Sequence, residues 1–231
     1  MKNISLFIAF IVLTGCFATM PDPVKDEFLV NQTSAQKQKL NDLADEIIAK
    51  RKEKEKIDDQ LKITKQKIVI TKKGIPVLEK ENDMLIEKQK LYTLENNEEM
   101  LKKANDDLDK NQKALLQQKA YLKYLEALED DQEALIELKH AGLAVKVAEM
   151  ELEKARIARV YQETELGITD TPADNKDSKE QKTLINVSTY EEYYTKQKKL
   201  LDTKTEKQKK TAELLKQAKQ ELQNTGYTEN I

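Results

Sequence analysis

Apolar residues recur at intervals of three and four along most of this chain, the spacing that predicts amphipathic helices. The first such segment runs from Ala35 to Lys73, where Lys50 and Lys54 interrupt the apolar stripe. Its apolar positions are Leu40, Leu43, Ile47, Ile57, Leu61 and Ile68. Gly74-Ile75-Pro76 then combines a residue favoured after a helix end with one favoured in the first turn of the next helix. We therefore predict a chain reversal there, with one kinked helix as the alternative.

The middle segment, Val77 to Leu166, contains no proline and a single glycine. Its length of about 90 residues predicts a helix of roughly 135 Å, with Asn96-Asn97 as a candidate break. A polar loop is expected over residues 167–187. The third helix is predicted over residues 188–226, because Ser188 and Thr189 are both credible caps for its first turn.

These lengths predict an all-α fold. The first and third helices are each about half as long as the middle one. Folded back from its two ends, they would form a long antiparallel coiled-coil rod of about three helices over residues 35–166 and 188–226. Charged residues make up 35% of the chain and aromatic residues 5%, as in long helices rather than compact mixed folds. The 40 basic residues nearly balance the 42 acidic ones, which argues against both disorder and nucleic-acid binding.

Alanine recurs at strict seven-residue spacing in the middle segment. The members of this alanine stripe are Ala120, Ala127, Ala134, Ala141, Ala148 and Ala155. A sustained heptad places small side chains on one line of a left-handed supercoil, where a second helix can approach closely. The stripe therefore predicts a helix-packing seam against another part of this chain or against another copy. Alanine is also a good helix former, so recurrence by composition is the competing explanation.

The first sixteen residues have the pattern of an export signal. Lys2 precedes an apolar run over residues 4–13, which is too short to cross a bilayer as a helix. Leu13-Thr14-Gly15-Cys16 resembles the lipobox of bacterial lipoprotein precursors. That resemblance implies a signal peptide over residues 1–15, cleavage before Cys16, and diacylglycerol with further acyl chains such as palmitate on that cysteine. An ordinary secretory signal, with Cys16 incidental, is the alternative.

The resemblance to lipoproteins also implies a location. Two or three acyl chains suffice for a stable membrane anchor. The residue after the cysteine is Phe17, not the aspartate that retains enterobacterial-type lipoproteins in the inner membrane, so the outer membrane is expected. Residues 16–34 contain Pro21 and Pro23 and are expected to form a flexible tether between the lipid and the rod.

Part of the middle segment resembles the long periplasmic helices of TolC-type outer-membrane efflux proteins. The resemblance lies in Tyr121–Leu128 and Leu143–Ala158. It implies a similar helical hairpin and no channel, because the membrane strands of that family have no counterpart here.

The side chains do not point to catalysis. His140 is the single histidine, and the acidic clusters at residues 98–99, 106–107 and 129–131 lack the oxygen-ligand spacing of a calcium loop. Phosphate-binding and dinucleotide-binding glycine motifs do not occur in the sequence. We therefore expect no enzyme activity, cofactor, metal or small-molecule substrate.

Three functions remain open. The first is a structural or adaptor lipoprotein of the cell envelope, in contact with the membrane through lipid and with protein partners or further copies through its coiled coil. The second is a surface-exposed adhesin or host-interaction lipoprotein. The third is an accessory component of an efflux or secretion assembly. Tyr121 and Tyr124 are candidate partner contacts, since tyrosine is enriched at interface hot spots, although they also suit a wide part of an internal seam.

Overall fold

Three long helices make up the part of the chain that the structure, a computed structural model, describes: residues 20–168 and 184–228. They are α1 (Ser34–Leu94), α2 (Glu98–Thr164) and α3 (Val187–Asn224), preceded by a short 3₁₀ helix over Asp26–Leu29. Within those residues there is no strand, so the predicted all-α fold is confirmed. The signal peptide and Cys16 lie outside the described residues, as does the part of the predicted loop at residues 169–183.

The sequence predicted a chain reversal at Gly74-Ile75-Pro76, and that prediction is wrong. Both Gly74 and Pro76 lie inside α1. A proline within a helix costs about 3 kcal/mol through its lost hydrogen bond and its steric clash. Here the contacts on either side offset that cost, because Ile68 and Leu85 are both buried and belong to the same seam on either side of the proline. Gly74 is also compatible with the seam, since a β-carbon there would lie 3.5 Å from Gln118 Nε2.

The reversal lies instead at Glu95–Asn97 and includes the candidate break at Asn96-Asn97. Asn96 has φ 50°, in the left-handed region that asparagine tolerates better than most residues. Asn97 then caps α2, and its side-chain oxygen accepts a hydrogen bond from the Met100 N–H at 3.2 Å. The rod therefore begins with a hairpin of two helices of nearly equal length, not with a short helix folded onto a long one.

α1 and α2 pack antiparallel along a narrow heptad seam. The buried residues of α1 are Leu43, Ile47, Ile57, Thr64, Ile68, Thr71 and Leu85. Ion pairs flank the seam from Lys39 to Glu79, including Lys39–Glu153 at 2.7 Å, Glu53–Lys139 at 2.7 Å and Glu79–Lys119 at 2.8 Å. Within the seam, Asn111 Nδ2 donates to Asn82 Oδ1 at 3.0 Å and to the Leu78 carbonyl at 2.9 Å. A buried asparagine pair of this kind fixes helix register in coiled coils.

α3 lies antiparallel on a different face of α2. Its register is set by Arg156–Glu191 and Lys204–Glu137, at 2.8 and 2.9 Å, and by a bond of 3.1 Å from Gln117 Nε2 to the Thr225 carbonyl. The backbones of α1 and α3 do not approach within 8 Å of each other, so α2 is the central helix. Because α3 ends opposite Gln117, the rod has three helices at one end and two at the other. We call these ends the base, where α2 ends and α3 begins, and the tip at Glu95–Asn97.

Candidate functional site

The segment that follows the predicted lipidation site is docked on the base of the rod. We call Asp22–Leu29 the anchor segment. The Val24 N–H donates to Glu151 Oε2 of α2 at 3.2 Å, and the Tyr190 hydroxyl of α3 donates to the Asp22 carbonyl at 2.7 Å. Val24 is buried in a cluster with Leu152, Ala155, Ala158 and Tyr190. The anchor segment therefore bridges α2 and α3.

The carboxylate that receives the anchor segment is itself buried. Glu151 is only 5% exposed. Its second oxygen pairs with Lys154 Nζ at 2.8 Å, so both oxygens have a hydrogen-bond donor, as a buried carboxylate requires. Phe28 adds an aromatic contact with Tyr161, with ring centroids 6.5 Å apart. These contacts combine apolar burial with specific hydrogen bonds. The hydrogen bonds fix the position of the anchor segment on α2 and α3.

The prediction of a flexible tether over residues 16–34 is therefore wrong for its second half. Proline and polar residues suggested an extended chain, but Val24, Phe28 and Leu29 supply enough apolar surface to dock it. The contacts join residues more than 120 positions apart, so no local pattern reveals them. After the anchor segment, Thr33 caps α1 and forms a reciprocal capping box with Gln36.

The alanine stripe faces α3 within the same chain. Ala134, Ala141, Ala148 and Ala155 are between 0 and 2% exposed, whereas Ala120 and Ala127 are half-buried. Opposite them α3 presents large side chains. A β-carbon built on Gly142 would lie 3.9 Å from Leu201 Cδ1, and Ala155 packs in the cluster that contains Tyr190. Small residues on α2 thus accommodate bulky residues on α3.

The two candidate contact tyrosines lie under the last residues that follow α3. The Tyr121 ring stacks on Tyr227 with centroids 5.1 Å apart, and on Tyr124 at 6.2 Å. Burial raises the pKa of the Tyr124 phenol. Both tyrosines therefore belong to an aromatic cluster inside this chain, and contact with a partner stays a prediction. At the base, Tyr190 and Tyr193 are also buried.

His140 lies half-buried on α2 between the two flanking helices. Burial lowers its pKa, and the nearby cations Lys54 of α1 and Lys204 of α3 lower it further. The neutral imidazole is therefore favoured in the folded chain. The described residues contain no group of three or more histidine, cysteine, aspartate or glutamate side chains that could hold a metal ion. In the same residues no helix is long and apolar enough to span a membrane.

Comparison with known proteins gave no match: no family model, no curated protein and no solved structure is significantly similar to this chain.

Proposed function

We propose that this protein is a lipid-anchored rod that serves as a structural or adaptor lipoprotein of the bacterial cell envelope. The observation that carries this proposal is the docked anchor segment. Six residues lead from Cys16 to Asp22, and a chain of that length reaches at most about 20 Å. Lipid on Cys16 would therefore stay close to the base of the rod and far from its tip.

The rod itself supports a spanning or adaptor role. α2 contains 67 residues, which at 1.5 Å per residue corresponds to a length of about 100 Å. Its flanking ion pairs and the Asn111–Asn82 bond hold α1 in one register, so the tip is presented at a defined distance from the base. A membrane attachment at the base would direct the tip away from the bilayer, toward other components of the envelope.

Metabolic labelling with an alkyne analogue of palmitate tests the lipid anchor. We expect label on the native chain and none on Cys16→Ser, which should also leave the membrane fraction. Ala18→Ser is the matched control, since it adds the same hydroxyl two residues away and should keep the label. Equal labelling of the native chain and Cys16→Ser would refute the anchor.

Protease treatment of intact cells separates the envelope adaptor from the surface-exposed adhesin. A rod in the periplasm resists protease until the outer membrane is opened, because the enzyme cannot reach it. Degradation in intact cells would instead place the rod outside and favour the adhesin. A known periplasmic protein, followed in the same digestion, controls for leakage.

A further inference from the structure

α1 carries a second apolar line that no part of the described chain covers. Its members occur at strict seven-residue spacing and are between 50 and 70% exposed. We call these residues the outer stripe: Ile63, Ile70, Val77, Met84 and Leu91. They lie on a different face of α1 from the buried seam residues Thr64, Ile68 and Leu85, and the backbone of α3 does not come within 8 Å of α1. Within the described residues the stripe is therefore left exposed.

The outer stripe runs along the half of α1 that is nearer the tip. Lys65 of α1 pairs with Glu133 and Glu129 of α2, at 2.9 and 3.5 Å, so the stripe begins at mid-rod. α3 lies on another face of α2, runs past the start of the stripe and ends opposite Gln117. The last two stripe members therefore lie in the part of the rod that has two helices, and the whole stripe is open to a further helix.

The spacing of the stripe identifies its occupant as a helix. A heptad line on α1 follows the supercoil of the α1–α2 pair, whose pitch is about 150 Å. Over the roughly 40 Å from Ile63 to Leu91, such a line turns around the rod axis by on the order of 100°. A flat bilayer cannot touch both ends of it. A helix that winds with the same pitch can follow all five residues.

We propose that the occupant is the α1 helix of a second copy, packed antiparallel through the same stripe. Within the described residues α1 is the only helix with an exposed apolar line over four heptads. In a two-fold dimer the same surface of both copies forms the interface, so the outer stripe of one copy would pack against the outer stripe of the other. In an antiparallel pair the stripes of the two copies would overlap over Ile63–Met84, and these three heptads are long enough to define a coiled coil.

Charges beside the stripe are complementary in one antiparallel arrangement. In an antiparallel pair centred near Gly74, Lys67 lies beside Glu81 of the second copy, and the pairing occurs twice by symmetry. Lys67 and Glu81 form no ion pair within the described part of their own chain, in contrast to Lys65 and Glu79, which pair with α2.

Sedimentation equilibrium of the mature chain carrying Cys16→Ser tests the dimer without any contribution from lipid. This inference does not rest on the lipid anchor, so the two proposals can fail separately. We expect a dimer, and we expect Val77→Lys to raise its Kd by about ten-fold or more, because the substitution buries an unpaired charge. Leu214→Lys, at an exposed apolar position of α3 outside the stripe, is the matched control and should leave Kd unchanged.

The arrangement is tested by disulfide formation in the same background. Mixing Lys67→Cys with Glu81→Cys chains should give a cross-linked dimer, whereas Lys67→Cys alone should not. Efficient cross-linking of Lys67→Cys with itself would overturn the antiparallel arrangement. A monomer at all concentrations, or a dimer that Val77→Lys leaves intact, would overturn the proposal.

Discussion

Replacing Ala141 with glutamate tests whether the alanine stripe holds α3 in place. Ala141 is 2% exposed and lies beside Gly142, where even a methyl group would touch Leu201 of α3. A glutamate side chain has no room between the helices at this point. It must either force them apart or leave its carboxylate buried without a partner.

Either outcome costs more than a typical surface substitution. Overpacking a core costs about 1–3 kcal/mol, and burying an unpaired charge adds several more, so we expect a loss of about 3 kcal/mol or more. The loss should fall mainly on α3, because the backbone of α3 packs against α2 and does not come within 8 Å of α1. Freed from α2, a polar helix of 38 residues has few contacts to keep it folded. About 3 kcal/mol corresponds to a rise of roughly a hundred-fold in the detached population.

Hydrogen exchange measured by mass spectrometry distinguishes a local effect from a global one. Amides of α3 should exchange faster in Ala141→Glu, whereas those of the α1–α2 hairpin should retain their protection. Ala49→Glu is the matched control, since Ala49 is an exposed alanine within α1. Equal protection of α3 in both variants would refute the argument that the alanine stripe is a close-packed seam.

Three further predictions follow from single contacts. Tyr190→Phe removes the hydroxyl that donates to the Asp22 carbonyl, so amides of the anchor segment should exchange about five-fold faster at an unchanged Tm, as expected for about 1 kcal/mol. Pro76→Ala should raise the free energy of unfolding in urea by up to about 3 kcal/mol, and a loss would indicate a reversal at Pro76 after all. The pKa of His140 is lowered in the folded chain, so the unfolded chain binds more protons as pH falls through about 6.5, and the free energy of unfolding decreases. The Tm of His140→Gln should therefore fall less between about pH 8 and about pH 5 than the Tm of the native chain.

The predictions from sequence succeeded where a short repeat of residue types determined which residues share one face of a helix. Seven-residue spacing of alanine places all six residues on one line whatever their neighbours are, and four of them are buried. The third helix was located to within two residues at each end, although its cap was predicted wrongly: the cap is Asn186, whose side chain accepts from the Ser188 N–H, and not Ser188 or Thr189. In both cases local propensity and helix packing favour the same structure.

The predictions from sequence failed where local conformational preferences and long-range contacts favour different structures. At Gly74 and Pro76 the local preference is for a helix end, and only the seam with α2 overrides it. Docking of the anchor segment depends on Glu151 and Tyr190, which are distant in sequence. The outer stripe was missed for another reason. α1 carries apolar residues on two faces, so a search for one amphipathic face finds the seam and treats Ile70 and Val77 as incidental.

The two proposals together constrain how the rods would be arranged between membranes. Each α1 extends about 60 Å from Ser34 to the centre of the proposed dimer near Gly74, so an antiparallel pair would place the two bases about 120 Å apart. Since the six residues from Asp22 to Cys16 would reach at most about 20 Å, lipids on Cys16 would lie at opposite ends of the pair. Copies held upright in one bilayer are parallel and cannot pair in this way, so a lipidated dimer would join two bilayers. Native lipidated chains should then cluster lipid vesicles, whereas Val77→Lys chains should bind vesicles without clustering them. Clustering that persists in Val77→Lys would mean that the outer stripe is not what joins the rods.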